Sequence, residues 1–134
     1  MKKTLLTLVF AFISIALFSQ KTDSRDAAIL KLMNVKRGMA SVNSLPDSMS
    51  KNMSDKDATS FKAELSKYKT QLINTALETF KKDYTAKEID FIYNECTSDK
   101  IDYTDLTNGF FRKWRQLKGN LYFRHAKETY AKYM

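Results

Sequence analysis

One apolar series does most to fix the fold class. Phe61, Leu65, Tyr68, Leu72, Ala76 and Phe80 step by four, three, four, four and four residues. That spacing lines one face of an α-helix. It predicts a long helix from Lys56 to Lys82, with Glu64 beside Lys67 and Glu78 beside Lys82 as surface pairs. An apolar stripe of this length must be covered, and the rest of the chain offers covers in the same period. Val35, Met39, Val42, Leu45, Met49 and Met53 form a second series, interrupted by Pro46. Proline lacks an N–H and clashes one turn back, so a kink or restart is expected there, with Ser44 as its cap. Ala28, Ile29, Leu32 and Met33 form a shorter series, capped by Ser24 or Asp26 and ended by Asn34. The polar stretch 20–27 before it reads as frayed.

The clearest local signal is Tyr84-Thr85-Ala86-Lys87-Glu88-Ile89. Thr85 and Glu88 stand at the positions of a reciprocal capping box, and Tyr84 can staple to Ile89. A helix therefore starts at Ala86, turns Ile89, Ile92 and Tyr93 inward and ends near Glu95. After a polar connection, the segment from Tyr103 to Tyr133 carries two stripes. Leu106, Phe110, Trp114, Leu117 and Leu121 make one; Ala126, Tyr130 and Tyr133 make another, rotated from it. A break or bend is expected at Gly119-Asn120. Three glycines and one proline in 134 residues leave little material for the turns of a β fold. The expectation is an all-α fold, a small antiparallel bundle of four to six helices.

The chain opens with Met1-Lys2-Lys3 and an almost wholly apolar run from Leu5 to Phe18. A basic start and a run shorter than the roughly 20 residues of a membrane span read as a secretory signal peptide. Ser14-x-Ala16 fits a small-x-small cleavage site, and the Ser19/Gln20 bond fits the polarity boundary; we take the latter. That gives a signal peptide over 1–19, one helical domain over 20–134, and an exported protein of the periplasm or exterior. The lone cysteine, Cys96, makes no disulfide within the chain. It reads as a small buried residue, or else as a bridge between chains.

Charge is unevenly placed. Residues 20–106 hold 14 basic and 14 acidic side chains, whereas residues 107–134 hold seven basic and one acidic, Glu128. Arg112, Lys113, Trp114, Arg115, Lys118, Arg124 and Lys127 form the candidate interaction face, a basic helix interleaved with aromatics. Such a face suits anionic lipid or an acidic envelope protein, or simply keeps a bundle soluble. An exported protein rarely meets nucleic acid, and the aromatics are spaced like core residues, so nucleic acid is not expected.

Catalytic signals are weak. His125 and Cys96 are the only histidine and cysteine, and nothing around them suggests an activated thiol. No ligand cluster suits zinc and no glycine-rich phosphate loop is present, so no cofactor and no enzyme activity are expected. Residues 94–105 loosely resemble a calcium loop. Asn94, Cys96 and Asp99 occupy positions that want Asp, a hard oxygen ligand and Gly. Met33, Met39, Met49 and Met53 could line a groove for a small apolar ligand, but gap-filling core is the simpler role.

In the order of its parts the chain resembles a family of exported bacterial helical proteins of unknown function. The matching features are the leader, the first helix Ile29-Leu30-Lys31-Leu32-Met33 and the start Tyr84-Thr85-Ala86-Lys87-Glu88-Ile89. That family continues into Phe-Tyr-x-Ser-Pro-x-Gly; this chain has Glu95-Cys96-Thr97-Ser98-Asp99-Lys100-Ile101, matching only at Ser98. The resemblance implies a helical fold and export, and no activity.

Overall fold

A computed structural model describes residues 24–134. The expected signal peptide and both cleavage sites lie outside these residues. Six α-helical segments run through them: α1 (Arg25–Asn34), α2 (Ala40–Met49), α3 (Asp55–Asp83), α4 (Ala86–Thr97), α5 (Asp105–Lys118) and α6 (Arg124–Ala131). A 3-10 turn (Val35–Arg37) follows α1, and a π turn (Gly119–Phe123) joins α5 to α6. No strand occurs among the described residues. The chain is the small antiparallel all-α bundle that its periodicities predict.

The long helix α3 is its axis. Phe61, Leu65, Leu72, Ala76 and Phe80 are all buried, and α1, α2, α5, the π turn and α6 each pack on α3. Ser54 caps it by accepting the Asp57 N–H. The α3–α4 junction also forms as the sequence predicts. The Thr85 N–H donates to Glu88 Oε1 at 2.8 Å, and the Glu88 N–H donates to Thr85 Oγ1 at 3.2 Å. Burial of Ile29, Leu32, Met33, Met39, Val42, Ile89, Ile92, Phe110, Trp114, Leu117, Tyr122 and Ala126 completes the core. Met33 and Met39 are core, and Met49 and Met53 pack against it, in the gap-filling role.

Three expectations are corrected. First, residues 25–27 are not frayed. Arg25 Nη1 donates to the Lys81 and Tyr84 carbonyls at 2.7 and 2.8 Å, and Asp26 pairs with Lys81 at 2.9 Å. Lys81 lies among the last four residues of α3, whose carbonyls lack helical partners, so Arg25 closes that helix end.

Second, Pro46 restarts no helix and Ser44 caps none; α2 runs through both. The interruption comes earlier, at the 3-10 turn, where Lys36 and Arg37 have φ of 53° and 60°. Proline deprives the carbonyl four residues back, that of Val42, of its helical donor. Tyr122 Oη supplies a substitute at 3.0 Å.

Third, Gly119-Asn120 does not break the helix; the irregularity expected there is a π turn that starts at Gly119. The buried positions Thr107, Phe110, Trp114, Leu117, Tyr122, Ala126 and Thr129 step by three, four, three, five, four and three. The single step of five is the π turn, which adds one residue to a helical turn. Its effect is to bury Tyr122 completely while Leu121, expected in the stripe, is only half-buried. Both predicted stripes thus belong to one continuous inward face.

Candidate functional site

The expected basic face divides in two. Arg112, Arg115, Arg124 and Lys127 are exposed, and Lys113 is half-buried. Arg124 and His125 share Glu128 at 3.9 and 3.6 Å. Arg112, Arg115 and Lys127 have no carboxylate within ion-pair distance among the described residues.

Trp114 and Lys118 leave the face. Trp114 is 2% exposed, and its indole N–H donates to the Met33 carbonyl at 3.2 Å. Lys118 Nζ donates to the Gly38 carbonyl at 2.8 Å and lies 5.1 Å from the Trp114 ring centroid. Burial, and then the neighbouring Arg115, hold the Lys118 ammonium below the usual lysine range. With Tyr122 they form a series at i, i+4 and i+8, the side of one helix. Each donates to a carbonyl between residues 33 and 42 that local structure leaves open. Met33 lies in the last turn of α1, Gly38 precedes α2, and the Val42 oxygen is freed by Pro46. Burial pushes the Tyr122 phenol up to about 12, so it remains a donor at any physiological pH.

Gly38 is what lets this seam close. A Cβ there would lie 2.1 Å from the Met33 oxygen and 3.2 Å from the Trp114 indole nitrogen, so only glycine fits.

Beside the seam, residues of the 3-10 turn and α5 line an open cleft of about 400 Å³. Lys36, Arg115 and Lys118 bring three cations to it, and Tyr103, Phe111 and Trp114 give it aromatic walls. The Lys36 ammonium sits 4.4 Å from the Tyr103 ring centroid. Asn108 Nδ2 donates to the Tyr103 carbonyl at 3.2 Å, which holds that wall. Sequence reasoning missed Lys36, Tyr103, Asn108 and Phe111 as a group, because they meet only through contacts between distant segments. Asn34 and Gly38, turn-forming residues flanking Lys36, were the available local signal.

The residues of the calcium-like stretch are otherwise engaged. Asn94 to Thr97 are helical and cannot wrap an ion as loop ligands do. The buried Glu95 carboxylate turns inward, where Oε1 accepts from the Thr104 N–H and, at 3.1 Å, from the Thr104 hydroxyl. Burial pushes this carboxyl up. Hydrogen bonds from Thr104 and Thr107 and the nearby Lys100 outweigh burial, and the net direction is downward. Among the described residues no group of three His, Cys, Asp or Glu side chains could hold a metal. Cys96 and His125 sit among different neighbours. Burial chiefly, with Glu95 adding and Lys36 opposing, raises the Cys96 thiol, which keeps it protonated and weakly nucleophilic. His125 stacks on Tyr68 with ring centroids 5.0 Å apart.

Compared with protein families, characterised proteins and solved structures, the chain finds no match. Among the described residues, no helix is long and apolar enough to cross a membrane.

Proposed function

We propose that the protein is a non-catalytic binding module of the bacterial envelope, exported by the leader, that holds to anionic lipid surfaces through Arg112, Arg115, Arg124 and Lys127. The observation that carries this reading is the charge separation. Apart from Lys2 and Lys3 of the leader, the basic excess belongs to residues 107–134, and these four side chains are all exposed to solvent. The mode of binding is electrostatic attachment rather than insertion. An inserting amphipathic helix needs a free apolar face, and Phe110, Trp114, Tyr122 and Ala126 have spent theirs on the core. Each cation near an anionic surface contributes about 1 kcal/mol, which makes the attachment weak, reversible and sensitive to salt.

Co-sedimentation with phosphatidylglycerol and phosphatidylcholine vesicles tests this. Binding is expected only to the anionic vesicles, fading as salt rises. The triple variant Arg112→Glu, Arg115→Glu, Lys127→Glu should abolish it. Lys118 is left intact because its ammonium holds the Gly38 carbonyl. Equal sedimentation with both lipids, or salt-independent binding, would refute the proposal.

A further inference from the structure

We infer that the cleft between the 3-10 turn and α5 is a binding site for a phosphomonoester carried on a flat apolar body. Three features lead to this ligand. First, Lys36, Arg115 and Lys118 line one concavity, and among the described residues no carboxylate lies within ion-pair distance of any of them. Lys118 spends one N–H on Gly38 and keeps two donors, while Arg115 offers its guanidinium fork. Convergent cations of this kind suit a group with several charged oxygens more than a single carboxylate.

Second, the walls are aromatic. Tyr103 and Phe111 bring half-buried rings beside the charges, and the buried Trp114 also borders the cleft; about 400 Å³ lies within the usual size of a small-molecule pocket. Third, the backbone is strained at this spot and nowhere else among the described residues. Lys36 and Arg37 are the two non-glycine residues with positive φ, a conformation costing on the order of 1 kcal/mol or more each. The strained turn carries the Lys36 ammonium over the Tyr103 ring, and both residues line the cleft.

The inference is independent of the lipid-surface reading. The two share Arg115 alone; Lys36 belongs only to the cleft and Lys127 only to the face. The test uses Trp114, the sole tryptophan of the chain, as a built-in reporter. Phenyl phosphate should change its fluorescence saturably, phenol should not, and inorganic phosphate should bind more weakly than phenyl phosphate. Lys36→Gln should weaken phenyl phosphate about tenfold, as loss of one charge-assisted contact does, whereas Lys127→Glu should leave it unchanged. Lys36→Gly, which removes the same charge while suiting the left-handed backbone, guards against a folding artefact. A response to phosphatidic acid vesicles alone, lost in Lys36→Gln, would assign the phosphate to a lipid headgroup. No saturable change with phenyl phosphate or with those vesicles would overturn the site. So would an equal response to phenol, or an unchanged titration in both Lys36 variants.

Discussion

Two joints of the molecule solve the same problem in opposite ways. At the α3–α4 junction, Thr85 and Glu88 satisfy each other's exposed N–H groups across three residues of sequence. At the seam between residues 33–42 and α5, open carbonyls are met by Trp114, Lys118 and Tyr122, about 80 residues away. The first joint can form in an isolated peptide. The second exists only once the bundle has closed, so its donors report tertiary structure. Local joints set where helices begin, and long-range joints set which helices meet.

The comparison can be broken first at Gly38. Gly38→Ala drives a Cβ onto the Met33 carbonyl, and a rigid backbone cannot yield as a side chain does. The expected loss is about 3 kcal/mol or more, read as a lowered urea midpoint. A near-native midpoint would show that the seam is loose.

Tyr122→Phe should come next, at about 1–3 kcal/mol, because it leaves the Val42 carbonyl buried and unpaired. The sharper measurement is a double-mutant cycle. Pro46→Ala restores a helical N–H to that carbonyl, so it should recover part of the loss in the Tyr122→Phe background. Strict additivity of the two changes would separate Tyr122 from Pro46.

Thr85→Ala probes the local joint and should cost about 1 kcal/mol. Its effect should add to that of Tyr122→Phe, since the two joints share no partner.

The smallest effect is one of slope. The Glu95 carboxyl is held below its ordinary range, so the folded state binds that proton less readily than the unfolded state does. Its stabilisation is present above the ordinary glutamate value of about 4.3 and is lost as pH falls through the lower folded value. Glu95→Gln should therefore flatten the acid limb of a stability–pH curve. Parallel curves for the two proteins would remove Glu95 from the acid response.

What the sequence made legible follows the same division. Helix α3, the Thr85 cap and the inward residues of α4 rest on spacings of three and four, and all were readable. The tightness at Gly38 was not, because it depends on Met33 and Trp114 meeting there. Pro46 misled for a related reason: the rule that proline breaks helices assumes that no donor replaces the missing one, and Tyr122 does. The basic face was half legible. Charge could be counted, but the direction of Lys118 is set by a carbonyl on another segment, and the cleft beside it joins residues of the 3-10 turn and α5 with Gly38 and Tyr103 from the connections.

The π turn has one more meaning. Remove the exposed Asn120 from the series and the inward residues fall back into an unbroken rhythm of threes and fours, with Tyr122, Ala126 and Thr129 still facing α3. The last third of the chain therefore behaves as a regular helix into which one extra link has been let. The fold has accommodated that link by loosening a single turn, leaving the phase of everything beyond it intact.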